Sequence, residues 1–252
     1  MRTVVTLLTD FGTADGYVGE IKGVLLSAAA SVEVVDIAHD IAPQDVESAR
    51  LAVARYWRRF PAGTVHMVIV DPGVGSSRRA LAVASDGLFL TGPDNGVLSP
   101  ALLSDGSRVA ELPIPHSAAP TFHGRDVFAP AAARLATGAS LDSLGVTALD
   151  PVVLRTPPTY RLDDGSIAGV VIATDRFGNL ITNLSAPREG VIVIGDVTIG
   201  EIVRTYSVAS SHGLVAIIGS GGLIEVALRD GSAASKLGAG RGSPVRLYPP
   251  RL

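Results

Sequence analysis

Apolar residues come in two rhythms along this chain. Up to about residue 140, short unbroken apolar runs alternate with longer amphipathic stretches. Past residue 165 only short alternating runs remain, divided by Gly, Ser, Asp and Asn. A strand buried on both faces reads as an unbroken apolar run. TVVTLLT at 3–9, VEVVDI at 32–37 and the run at 65–70 fit that reading. Helical stretches follow the first two, from Tyr17 to about Ala30 and from Val46 to Trp57. Asp45 is a plausible N-cap for the second, and Asp15 a candidate cap for the first. Ala80–Ser85 and Leu88–Thr91 flank Asp86-Gly87, a two-residue hairpin signal. A strand at 108–112 and a helix from Ala131 to Thr137, ended by Gly138, complete the first part.

These elements predict an α/β N-terminal domain with a mostly parallel sheet flanked by helices. The proline-rich stretch DPVVLRTPPTYRLDDG then marks a linker. The alternating runs beyond it predict a smaller all-β C-terminal domain, a barrel or a sandwich. The expected division is 1–150, a linker at 151–165, and 166–252.

Polar residues gather where the apolar runs stop. After Val70 comes DPGVGSSRR: a carboxylate at Asp71, turn-forming Pro72, Gly73 and Gly75, then Arg78 and Arg79. In open α/β sheets ligands bind beyond the carboxyl ends of strands. Asp10 and Asp15 occupy the same kind of place after the first strand, and TFHGRD brings His123, Arg125 and Asp126. Asn95 joins this set of strand-end polar groups, although Asn95-Gly96 reads first as a turn. A carboxylate can take a proton from water, an imidazole can take or relay one, and a guanidinium stabilises an anion as a fixed positive charge. Asp, Arg and His around one water therefore make a reasonable water-activating set without metal. The same Asp10, Asp15, Asp71 and His123 are also candidate ligands for a divalent ion. In the β domain, Asp175, Asn179 and Asn183 cluster between apolar runs and read first as a turn leading into a strand.

Composition narrows the field. A formal net charge of −3 in 252 residues implies no general polyanion-binding surface, so nucleic acid is not an expected partner. The absence of cysteine excludes disulfides, thiolate metal sites and a cysteine nucleophile, and fits a cytoplasmic protein. No apolar run reaches membrane-spanning length. Neither a Walker loop nor GxGxxG is present, and Ser76 and Ser77 lack a GxSxG setting.

Taken in order, TDFGTADGYVGEIKG, VVDIAHDIAPQDV, VDPGVGSSRR, GPDNGVL, TFHGRDVFAP and DRFGNLITN resemble the S-adenosyl-L-methionine hydroxide adenosyltransferase family, which is related to the fluorinases and chlorinases. The resemblance spans nearly the whole chain. It implies hydrolysis of S-adenosyl-L-methionine to adenosine and L-methionine, without a cofactor, by attack of water or hydroxide on the ribose 5′ carbon. It assigns Asp71 and His123 to orienting and deprotonating the water and Arg78 to stabilising the hydroxide. It assigns Asp10 to the ribose hydroxyls, with Asp15 and Tyr17 in the same loop and Phe122 beside the reacting carbon. Asp175, Asn179 and Ser220 match the methionine-binding positions. The resemblance also implies a homotrimer whose sites are shared between an N-terminal domain and a neighbour's β domain.

The departures from the halogenases bear on the nucleophile. Fluorinases have Tyr and Thr at the positions of Asp71 and Val74, Ser at that of Gly124, and Trp at that of Ile181. Asp71 repels a halide, and neither Val74 nor Gly124 offers a side-chain donor. A halide adenosyltransferase and a non-catalytic S-adenosylmethionine or adenosine binding protein stand as the rival readings.

Overall fold

The structure is a computed structural model and describes residues 3–250. It divides into two compact units that meet in sequence between Leu154 and Arg155.

The first unit contains, in order, β1 (Val4–Thr9), α1 (Tyr17–Ala28), β2 (Glu33–Ala38), α2 (Val46–Tyr56), β3 (Val65–Ile69), β4 (Ala80–Ser85), β5 (Leu88–Pro93), α3 (Ser99–Leu102), β6 (Arg108–Leu112), α4 (Ala129–Ala136) and β7 (Val146–Thr147). The seven strands form one sheet in the order β2-β1-β3-β5-β4-β6-β7. The β2-β1-β3-β5 half is parallel, and β5-β4-β6-β7 is antiparallel. The sheet is therefore mixed, which corrects the expectation of a mostly parallel one. The cause is Asp86-Gly87. Both residues take positive φ, 53° and 75°, and a two-residue turn can join only antiparallel strands.

Each face of the sheet carries its own core. Val5 and Leu7 of β1 pack with Ile21 and Leu25 of α1 and with Phe128 and Leu135 around α4. Leu8, Val68 and Val70 face Val53 and Trp57 at the end of α2, with Leu98. Residues alternate faces along a strand, so one apolar run serves both layers. Asp45 caps α2, accepting from Ser48 N at 3.0 Å. Asp15 does not cap α1. That helix starts from Gly16 at φ 80° without a side-chain cap, and Asp15 stays exposed in the preceding loop.

The second unit contains β8 (Tyr160–Arg161), β9 (Ile167–Thr174), β10 (Leu180–Thr182), β11 (Val191–Ile194), β12 (Val197–Val203), β13 (Leu214–Ile218), β14 (Ile224–Leu228), α5 (Ala233–Leu237) and β15 (Pro244–Tyr248). Strands β10-β14-β13-β12-β11-β15-β9 pair in sequence, and β9 pairs back onto β10. The result is a closed seven-stranded barrel, with β8 added beside the start of β9. Val171, Leu180, Ile192, Ile224, Val226 and Leu247 fill it. Among the described residues, no helix is long and apolar enough to cross a membrane.

Candidate active site

Strand register brings the site together. Thr9 of β1 stands beside Ile69 of β3, and Leu8 beside Ala38 of β2. The three strands run the same way, so Asp10, His39 and Asp71 emerge at one edge of the sheet. His123 comes from the segment that follows β6, at the start of a widened helical turn, Gly124–Phe128, that leads into α4. Such π-turns recur at functional sites.

Asp71, Arg78 and His123 meet directly. Arg78 Nε donates to both Asp71 oxygens, at 2.9 and 3.0 Å, and Nη2 adds a further bond to Oδ2. The same Nη2 donates to His123 Nδ1 at 2.9 Å. Both side chains of the ion pair are buried, 9% and 6% exposed, so losing either would strand the other's charge. Arg78 also lies over the Phe128 ring, 5.4 Å from its centre. Its remaining terminal nitrogen, Nη1, is buried and makes no hydrogen bond.

The imidazole's state follows from these contacts. Arginine has no acceptor, so Nδ1 of His123 must receive its bond and the neutral ring carries its proton on Nε2. Burial, aided by the Arg78 charge, pushes the His123 pKa below the ordinary imidazole value, against the opposing pull of Asp71 and Asp126.

Asp10, Asp71, Phe122, His123 and Val74 line one cavity of about 310 Å³. Asp10 is fixed by Gln44 N, which donates to Oδ2 at 2.8 Å. Tyr17 and Phe122 meet edge-on at 5.4 Å, and both also contact Phe11. Arg125 lies 4.9 Å over Phe122 and is paired with Glu20 and Asp126. Its bond, partly offset by burial, holds the Asp126 carboxyl below its usual range. Arg125 and Asp126 thus brace the loop that carries Phe122 and His123.

Sequence reasoning did not single out His39 and Thr9. Thr9 Oγ1 and His39 Nδ1 are 2.9 Å apart, Phe11 N donates to Thr9 Oγ1 at 3.3 Å, and Gly12 N donates to His39 O at 2.7 Å. Both neighbours of Asp10 are therefore tied to this buried pair. Nε2 of His39 lies 3.0 Å from Asp36, which Lys22 also holds. HDIAPQD carried the only signal, and the pairing depends on a register that the sequence does not display.

In the second unit, Asp175 closes its own turn. Its oxygens accept from Phe177 N, Asn179 N and Asn179 Nδ2, each at 2.9 Å. Asn183 is structural, accepting from Val170 N at 2.7 Å and donating to Pro157 O at 2.9 Å. Ser220 sits in the Gly219–Gly222 turn between β13 and β14. Burial, with the nearby Glu225 and Asp175 carboxylates, raises the Tyr206 pKa. Among the described residues, no three His, Asp or Glu side chains converge as a metal site.

Comparison with known proteins agrees with the motif order. The family model "SAM hydroxide adenosyltransferase N-terminal domain" matches residues 5–145, and its C-terminal counterpart matches 169–246. The chain is 42% identical to an (R)-S-adenosyl-L-methionine hydrolase of Thermus thermophilus, over 96% of this chain and 98% of that one. A fluorinase of Actinopolyspora mzabensis is 30% identical over 73% of this chain and 72% of its own. An uncharacterized conserved protein from Thermotoga maritima superimposes with a TM-score of 0.87 at 29% identity, covering 97% of this chain and 99% of that one. A conserved hypothetical protein from Thermus thermophilus gives 0.82 at 39% identity, covering 98% and 100%. With both domains of the family matched in order, and a relative this similar along its whole length, the chain belongs to the S-adenosyl-L-methionine hydroxide adenosyltransferase family.

Proposed function

We propose that this protein hydrolyses S-adenosyl-L-methionine to adenosine and L-methionine, with activated water attacking the ribose 5′ carbon in line with the departing sulfonium. The observation that carries the reading is the buried Asp71–Arg78–His123 cluster, with Arg78 Nη1 left unbonded. A buried donor without a partner costs about 1–3 kcal/mol. That cost makes sense where the donor serves an anion formed during reaction. Arg78 is the fixed cation that stabilises hydroxide. Asp71 accepts the proton through the one Oδ1 lone pair that Arg78 leaves open. His123, held neutral, donates from Nε2 and orients the oxygen. Methionine leaves as a neutral thioether, so no general acid is required. The Asp71 carboxylate also disfavours a halide nucleophile.

Asp10 holds the ribose hydroxyls, with Asp15, Tyr17 and Phe122 around the sugar. Asp175, Asn179 and Ser220 receive the methionine group. The reaction uses no metal, and the working form is a cytoplasmic homotrimer with shared sites. The test is turnover of S-adenosylmethionine in heavy-oxygen water, with and without chelator. The label is expected in the adenosine 5′-hydroxyl, at a rate chelator leaves unchanged. Formation of 5′-methylthioadenosine with labelled homoserine would overturn the placement of Asp71 beside the ribose carbon, and loss of activity with EDTA the metal-free mechanism.

A further inference from the structure

The loop from Asp71 to Arg78 is gripped at both ends by two consecutive residues of another loop. At its start, Asn95 Nδ2 donates to the carbonyl of Val70 at 2.9 Å, while Asn95 Oδ1 accepts from Val97 N at 3.1 Å. At its end, Asp94 N donates to the carbonyl of Arg79 at 2.9 Å. The buried Asp94 carboxylate accepts from Arg79 Nε at 2.8 Å and from Val152 N at 2.7 Å. Parallel pairing explains the reach. Met67 of β3 stands beside Thr91 of β5, which brings residues 94–95 level with Val70 and Asp71. Asn95 thus does more than shape its own turn.

We infer that Asn95 is a positioning residue for water activation: by fixing the Val70 carbonyl it sets the Asp71 carboxylate against Arg78. The inference rests on the hydrolase reading above. Val70 is fully buried, so solvent cannot replace the lost donor. A displacement of about 1 Å in such a site costs roughly 10²-fold in rate. Substrate affinity depends on other residues and should move little.

Asn95→Asp isolates the bond. It keeps the shape and the acceptor toward Val97 N, and removes the donor toward Val70. Asn95→Ala removes both. With S-adenosylmethionine, both variants are expected to lose about tenfold or more in kcat with KM within roughly twofold. A second readout is amide hydrogen exchange at Val74 and Ser76, whose N–H groups bond to Asp71 and Gly73 carbonyls inside the loop. Both amides should exchange faster in Asn95→Asp, while β1 and β3 stay protected. Wild-type kcat in Asn95→Asp, or a fall that merely follows loss of folded protein across the sheet, overturns the inference. If the wild type itself does not turn over the substrate, the hydrolase reading fails. The exchange experiment then still decides whether Asn95 orders the loop, because unchanged exchange rejects it.

Discussion

Arg78 and Arg79 are neighbours in sequence and part company in space. Arg78 turns to Asp71 and His123, whereas Arg79 binds Asp94 and the carbonyls of Leu149 and Asp150, at 2.7 and 3.0 Å. Arg78→Ala is expected to lower kcat by roughly 10²-fold or more, the scale of a lost charge stabiliser. Arg79→Ala should keep kcat near wild type and lower the melting temperature, because its bonds are structural. Steady-state kinetics beside thermal melts separates the two, and the reverse pattern would sink the assignment. His123 gives the pH counterpart. Its pKa lies below the ordinary imidazole value, so the neutral ring persists into mild acid. Below that pKa the Nδ1 proton faces Arg78, and kcat should fall with acid and plateau toward neutrality. Buried His66 acts on stability instead. It contacts Thr6 Oγ1 at 2.7 Å between the Tyr56 and Phe60 rings, and burial lowers its pKa to about 4. The unfolded chain binds this proton first, so stability is complete above about pH 6.5 and declines by roughly 3 kcal/mol as pH falls toward 4. Urea midpoints at pH 7 and 5 should differ less in His66→Gln; an equal difference removes His66 as the cause. Asp71, Arg78 and His123 were legible as residue types at strand ends. Asn95 was legible in the same way but not its tie to Val70, and His39 and Thr9 were not legible, because each acts through a partner at least 25 residues away that only strand register brings near.

Elements were easier to read than their pairing. Unbroken apolar runs marked β1, β2 and β3, and Asp45 marked the start of α2, where its bonds to Ser48 can be weighed. Asp45→Ala is expected to cost about 1 kcal/mol in a denaturation curve with no change in kinetics. Asp86-Gly87 announced a hairpin and so an antiparallel pair, yet alternation of strands and helices suggested a mostly parallel sheet. The turn prevailed locally, and two more antiparallel strands followed it. Alternating runs could not separate barrel from sandwich, since both bury one face of each strand; the β9–β10 pairing decides for the barrel. The Asp71 loop itself depends on Gly75. Its φ is 76°, and an added Cβ would lie 2.6 Å from the Pro120 carbonyl oxygen. Gly75→Ala is therefore expected to displace the loop and reduce kcat more than a surface Gly→Ala change such as one at Gly23 on α1, where φ is not positive and nothing lies within 4 Å.

At the scale of the whole molecule, the first unit has a chemical rim and an inert one. β1, β2, β3 and β5 all finish at the rim that carries Asp10, His39, Asp71 and Asp94. β4 runs the other way and β6 starts from the far side, so Ser85 and Arg108 lie at the opposite rim, together with the exposed loop around Asp105 and Gly106. That polarity is useful to an engineer. A peptide tag, a reporter domain or new chain termini placed between Asp105 and Gly106 would interrupt no strand and touch no ligand loop. The lack of cysteine adds a second convenience: a single thiol introduced there would be the only one in the chain, a unique handle for a dye or a surface.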